Sequence, residues 1–371
     1  MSERILRGLE GVPLPCAYVD LDAFDANADV LAGQAAGIPI RLATKSVRAR
    51  ALIDRALNHQ AFQGLMTFTL PESIWLHRHG RHDLLCAYPQ TTGLAVLDEL
   101  DGDGPVLMVD SPEHLELITS QVQRPVRVCI EISLNLGPIG VRRSAIRTPK
   151  HLRALAQQIE RHPRLELAGV MGYEAHLAGV GDDKALIRAM QKLARPVAKR
   201  RRARLVNALG PLDIVNGGGT GSLAFTSAER GVVTELTAGS GLYASHLFDR
   251  YSHLTLTPAA GFCLPVSRKP DATTATLLGG GYIASGAPGR DRLPIVHYPP
   301  GLQLTKLEGA GEVQTPVTGD AARALRPGDR VLLRHAKAGE LCERFNSLHL
   351  IEGERVVDEV PTYRGEGKAF L

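Results

Sequence analysis

Apolar residues fall in short runs, separated by longer amphipathic stretches where apolar positions recur every third or fourth residue. Eight runs follow one another: Ile40–Thr44, Leu65–Phe68, Leu84–Ala87, Val106–Val109, Val126–Ile132, Leu167–Met171, Asp213–Asn216 and Val232–Thr237. The periodic stretches between them predict helices over Arg48–His59, Pro71–His79, Gly93–Leu100, Pro112–Gln123, Pro149–Arg161 and Asp183–Asn207. Pro71, Pro112 and Pro149 stand where a first helical turn tolerates proline, each behind a Thr or Ser able to cap. The last crossover is short and Ser/Thr-rich, over Thr220–Glu229.

Continuous apolar runs suit strands buried on both faces, and alternation with helices predicts a parallel sheet. Eight strands are the number that closes a (β/α)8 TIM-like barrel, expected over residues 38–247; an open doubly wound sheet is the competing arrangement. Ahead of it, residues 1–37 hold a predicted strand at Ala17–Leu21 and a helix at Asp25–Gln34, started by Asp22 or Asp25. That strand is expected to join the C-terminal domain. From 248 to 371 no long amphipathic stretch follows. Runs such as Ala275–Leu278, Val331–Leu333, Leu348–Ile351 and Arg355–Val360 are bounded by Gly/Pro turns, which predicts an all-β C-terminal domain.

Composition narrows this picture. The chain has 371 residues, 44% hydrophobic and 22% charged, which is ordinary globular material and not a disordered chain. A net charge of +4 gives no footprint for a nucleic-acid partner. The N-terminus lacks an apolar leader and no window is long and apolar enough for a membrane span. Five scattered cysteines without a CxxC pair argue against a disulfide framework, so a cytoplasmic location is expected. The 38 glycines, about one residue in ten, exceed the usual ~7% and call for tight turns or close backbone approaches.

Barrels of this kind carry their active sites at the C-terminal ends of the strands. Lys45 follows the first run directly, where a desolvated lysine could act as a Schiff-base amine; a lysine snorkelling at the rim is the plain alternative. After the sixth run, Met171-Gly-Tyr173-Glu-Ala-His176 brings Tyr173 and His176 to the mouth. After the seventh and eighth come Asn216-Gly-Gly218-Gly219-Thr220-Gly-Ser222 and Ala238-Gly-Ser240-Gly241-Leu-Tyr243. Loops seven and eight are the usual phosphate site of such barrels; glycine lets backbone N–H groups close on the phosphate, and Thr220, Ser222 and Ser240 add hydroxyls. A phosphate cradle with an amine on the first strand suits pyridoxal 5′-phosphate (PLP), an aldehyde cofactor anchored by its phosphate.

With these residues in place, the sequence resembles the fold-type III PLP enzymes, with an alanine racemase-type N-terminal barrel. Within them it is most similar to the D-threonine aldolase/D-serine dehydratase-like group (amino acid deaminase/aldolase). The segments that carry the likeness are Pro15-Cys-Ala-Tyr-Val-Asp-Leu-Asp-Ala, Ala43-Thr-Lys45-Ser, Gly172-Tyr-Glu-Ala-His176, Asn216-Gly-Gly-Gly-Thr220, Thr234-Glu-Leu-Thr-Ala-Gly-Ser-Gly-Leu-Tyr243 and Arg334-His335-Ala-Lys337. The resemblance implies that Lys45 holds PLP, that Tyr173 and His176 flank its ring, and that Gly218, Gly219, Thr220 and Gly241 bind its phosphate. Asn216, Ser240 and Tyr243 complete the expected cofactor set. It also implies a divalent metal through His335. Lys337 stands at the partner position, where a cationic amine is a poor ligand, and Glu340, Cys342 or Glu343 are the candidate substitutes. The acidic-plus-arginine motif of alanine racemases is replaced by Ser133-Leu-Asn135-Leu-Gly-Pro.

Two features are read as solvated surface: His77-Arg-His79-Gly-Arg-His82, and the basic run Lys199-Arg-Arg-Arg202-Ala-Arg204. The reading is a PLP-dependent lyase, an aldolase or a dehydratase/deaminase, for a D- or β-hydroxy-amino acid. Lys45, His335 and Lys337 are the candidate catalytic groups. An amino acid racemase is the alternative, its second acid/base drawn from Tyr282, Tyr298 or Cys342; a non-catalytic PLP-binding protein is another. The resemblance further implies a homodimer.

Overall fold

The computed structural model describes residues 2–135 and 143–370. The chain opens with α1 (Ser2–Gly8), β1 (Cys16–Asp20) and α2 (Leu21–Ala35). Eight parallel strands then close a barrel: β2 (Ile40–Ala43), β3 (Phe62–Thr67), β4 (Leu84–Cys86), β5 (Val106–Val109), β6 (Val126–Glu131), β7 (Leu165–Gly172), β8 (Ile214–Gly217) and β9 (Glu235–Ala238). Closure is explicit, because β2 pairs with β9 at Ile40↔Leu236 and Leu42↔Ala238. The doubly wound alternative is thereby excluded.

The helices that follow in the chain are α3 (Arg50–Leu57), α4 (Leu70–Arg78), α5 (Pro112–Gln121), α6 (Pro149–Arg161), α7 (Ala175–Ala178), α8 (Ala185–Val206), α9 (Leu223–Thr226) and α10 (Ser240–Tyr243). Their starts obey local chemistry: Thr69 and Thr148 cap α4 and α6 by accepting the Glu72 and His151 N–H, with proline in the first turn of each. The expected helix over Gly93–Leu100 is instead a 3₁₀ segment, Leu94–Glu99, behind Gly93 at φ 70°. The weak crossover is a 3₁₀ turn, Thr220–Ser222, running into the single-turn α9.

Two compact units result. One holds Leu31–Lys45 and Arg55–Gly239 with Phe370; the other holds the residues up to Val30, Ser46–Asp54 and Ser240–Ala369. The barrel unit is filled by Ala43, Met66, Phe68, Leu85, Met108, Cys129, Ala168, Met171 and Ile214, with Tyr88 and Tyr173 packed against them. Strands β2, β4, β5 and β8 are buried along their whole length, which is why they read as apolar runs, interrupted only by Arg41 in β2 and Asn216 in β8. Deeper polar groups close the seam: Arg41 of β2 binds Glu235 of β9 at 2.7 and 2.8 Å and Asp83 at 2.6 Å.

The second unit is a nine-stranded sheet. It contains β1, β10 (Ala260–Asp271), β11 (Thr274–Leu278), β12 (Ile295–Tyr298), β13 (Gln303–Leu304), β14 (Gln314–Thr318), β15 (Arg330–Arg334), β16 (Ser347–Glu352) and β17 (Arg355–Pro361). β1 pairs antiparallel with β10 and parallel with β16. Among the described residues no helix is long and apolar enough to cross a membrane.

Candidate active site

Lys45 sits in a 3₁₀ turn, Thr44–Ser46, at the C-terminal end of β2. Thr44 is buried and its hydroxyl donates to the Met66 carbonyl at 3.1 Å, which ties the turn to β3. Lys45 itself is exposed, contrary to the desolvated amine considered above. Its Nζ lies 4.3 Å from the centroid of the Phe68 ring. Around the same rim, Phe68 meets Tyr88 at 5.7 Å between centroids, and the Arg143 guanidinium donates to the Tyr88 hydroxyl at 3.2 Å. Arg143 also lies 5.1 Å from the Tyr173 ring. Lys45 and Tyr173 are therefore joined by a continuous arc of aromatic and cationic groups.

Tyr173 presses on the loop after β8. A side chain at Gly219 would place its Cβ 2.9 Å from the Ala178 Cβ and 3.0 Å from Tyr173 Cε2, so only glycine fits there. Gly218 takes φ +87°, which also favours glycine. His176, on α7, is buried with no hydrogen-bond partner for Nε2. Burial lowers its pKa against the pull of Glu174, so the imidazole is neutral and aromatic in character.

Three expectations for this rim change. Both amide hydrogens of Asn216 are used, on Glu235 and on Thr237 at 2.8 Å each, so that side chain orders β8 and β9. The Ser222 hydroxyl faces inward: it donates to Glu174 at 3.0 Å and accepts the Gly219 N–H at 3.1 Å. The loop thus keeps Gly219 for clearance and not for that N–H. Finally, the basic run is not all solvated surface, because Arg202 is 1% exposed.

Arg143 was not a sequence candidate. The residues noted as replacing the acidic-plus-arginine motif lie partly at 136–138, outside the described residues. Glu131, at the end of β6, is buried and feels the Arg143 charge. Burial pushes the Glu131 carboxyl from its ordinary 4.5 up to about 7, assisted by Asp110 and opposed by Arg143. The folded state then holds this proton more tightly than the unfolded chain. Its contribution to stability is present below about pH 4.5 and is lost as the pH rises through 7. Glu131→Gln should flatten that decline, whose slope is at most about 1.4 kcal/mol per pH unit. Urea unfolding of both proteins across this range is the check, and identical slopes would count against it.

Serine 240 and Gly241 open α10, and Tyr243 ends it, in the sheet unit. Tyr243 is fully buried and its hydroxyl donates to the Val47 carbonyl at 2.7 Å. His335 is buried and pushed down to about 3, by burial first and Arg334 second. Lys337 is half exposed; its Nζ donates to Ser285 Oγ at 2.5 Å and pairs with Glu340 at 3.1 Å.

A divalent metal does not fit these groups. Lys337, two residues after His335, is a poor metal ligand. Glu340 is held by Ser285 and Lys337, Glu343 pairs with Arg48 at 2.6 Å, and Cys342 donates to the Val47 carbonyl at 3.2 Å with its thiol pushed up to about 12 by burial. Among the described residues no cluster of three or more His, Cys, Asp or Glu is suited to a metal. In the triple-histidine segment only His77 is buried, against the Asp101 carbonyl at 2.9 Å; Arg78, His79, Gly80 and His82 are exposed, as a solvated turn requires.

Comparison with known proteins gives three results. The family described as alanine racemase, N-terminal domain, matches residues 19–246, more than half of the chain. No curated protein matches the chain in sequence. Among solved structures, D-threonine aldolase from Filomicrobium marinum superposes with TM-score 0.80 at 20% identity, over 95% of this chain and 96% of that one. D-threo-3-hydroxyaspartate dehydratase from Delftia sp. HT23 gives 0.76 at 18%, over 96% and 98%. Alanine racemase from Clostridium difficile 630 gives 0.65 at 15%, over 94% and 99%.

Proposed function

The chain belongs to the alanine racemase N-terminal domain family, with the fold of the type III PLP enzymes, and on that premise we propose that it is a PLP-dependent lyase for a D- or β-hydroxy-amino acid. The observation that carries the cofactor is the arc from Lys45 through Phe68, Tyr88 and Arg143 to Tyr173, ending against a loop that only glycine permits at 219. Lys45 is the amine that would hold the aldehyde; Tyr173 and the neutral His176 would bound the ring, and the Gly218–Thr220 turn would take the phosphate. When bound, PLP supplies an electron sink for the bonds at the substrate Cα.

The lyase is preferred to the racemase on the state of the candidate second bases. The Tyr298 hydroxyl donates to Glu3 at 3.2 Å, and Cys342 is a bonded, protonated thiol. Burial also raises Tyr282, whose ring is packed among Phe262 and Phe345. For the proton of the substrate hydroxyl, Lys337 is the better candidate of the C-terminal pair, because His335 at about 3 is a poor acid or base near neutrality.

A panel of D-β-hydroxy-amino acids, with separation of aldehyde, keto acid and enantiomer products, decides the reaction. Aldehyde or keto acid is expected, and the rate should change by less than about twofold with chelator, since the donor set suits no metal. Enantiomer alone would replace the lyase by the racemase. Loss of rate on chelation, restored by a divalent cation, would show that the metal expectation was right.

A further inference from the structure

Arg202 belongs to the most basic stretch of the chain, yet it is 1% exposed while Lys199, Arg200 and Arg204 beside it face solvent. A buried guanidinium is costly unless it is met by charge and hydrogen bonds. Here it is met from three elements. Nη2 lies 2.6 Å from Glu174 Oε2 and donates to the Gly172 carbonyl at 3.1 Å, just past and at the end of β7. Nη1 lies 2.7 Å from Glu229 Oε1, in the segment after α9. The guanidinium also lies flat against the end of β8, since a Cβ at Gly217 would stand 2.8 Å from Nη2.

The second oxygen of Glu174 continues the network. It accepts the Ser222 hydroxyl at 3.0 Å and the Thr226 hydroxyl, and Ser222 in turn accepts the Gly219 N–H at 3.1 Å. One path of hydrogen bonds thus runs from the outer helix α8, beneath the end of β7, into the glycine loop after β8. Two carboxylates, Glu174 and Glu229, lie behind a turn assigned to an anion. Without a cation between them they would oppose a phosphate in front.

We infer that Arg202 is a positioning residue for phosphate binding, which holds the Gly217–Ser222 turn in shape and offsets the two carboxylates behind it. The inference rests on the PLP reading above. Its signature is selective: the phosphate of PLP should feel Arg202, whereas pyridoxal, which lacks the phosphate, should not.

The test is binding of PLP and of pyridoxal to the intact chain, followed by fluorescence quenching, with folding checked by circular dichroism. Arg202→Met should weaken PLP by roughly 10- to 100-fold, the range for losing hydrogen bonds to a charged group, and leave pyridoxal within about twofold. Adding Glu229→Gln should recover part of the loss. If Arg202→Met does not fold, Ser222→Ala breaks the same path without leaving a buried charge. It should weaken PLP by roughly 2- to 10-fold, the range for one hydrogen bond, with pyridoxal unchanged. Equal loss for both ligands, or no loss for either, overturns the inference while the cofactor reading stands. A wild-type chain that binds neither ligand overturns that reading first, and the inference with it.

Discussion

Lys45→Ala should abolish covalent attachment of PLP and lower turnover by at least about a thousandfold, the order expected when a covalent catalyst loses its nucleophile. Incubation with PLP followed by borohydride should add one phosphopyridoxyl group to the wild-type chain, on the peptide containing Lys45, and none to the variant. The fold should be indifferent. Lys45 is exposed, and the anchoring of its turn rests on Thr44, whose hydroxyl holds Met66. An exposed substitution of this kind changes stability by about 0.5 kcal/mol or less, so the variant's melting temperature should stay close to that of the wild type. Phe68 would remain in place beneath the lost amine. A variant that still takes the label would move the amine to another residue and remove the main support for the cofactor assignment.

Lys45 was legible because its position depends only on local pattern. Burial on both faces makes β2 apolar but for Arg41, and a lysine just beyond such a strand emerges at the mouth of a parallel barrel. The same logic located Tyr173 and Gly219. Arg202 was hidden because its partners, Glu174 and Glu229, lie 28 residues before and 27 after it in number, and nothing local separates it from the solvated cations around it. Arg143 and Glu131 were missed for a similar reason: the charge of one reaches the other near the bridge between Ile132 and Ile146, not between neighbours in sequence. β10 went unseen because its outer half, Ser267-Arg-Lys-Pro-Asp, is polar and half of the strand faces solvent. Composition alone predicted that the glycines had work to do, but only packing says which of them cannot be replaced.

Gly169 is the sharpest case. It lies in β7 opposite Ile214 of β8, beside an irregularity in the pairing of β6 with β7. A Cβ there would stand 1.8 Å from the Ile214 carbonyl oxygen and 2.6 Å from its carbon. Both are backbone atoms of a barrel strand, so no side-chain rotation relieves the overlap. Gly169→Ala must push β7 from β8, at the point where β8 leads to the glycine loop. The expected cost is about 4 kcal/mol or more, a large share of the ~5–15 kcal/mol that holds a typical fold together. At 2–4 °C per kcal/mol for a domain of this size, the melting temperature should fall by about 10 °C. Gly33→Ala supplies the contrast. It lies inside α2 with nothing within 4 Å of its Cβ, and should raise stability by up to about 1 kcal/mol through helix propensity. Calorimetry of the two single variants separates the cases: a Gly169→Ala protein melting within about 2 °C of wild type would mean that the barrel seam between β7 and β8 is not packed as described.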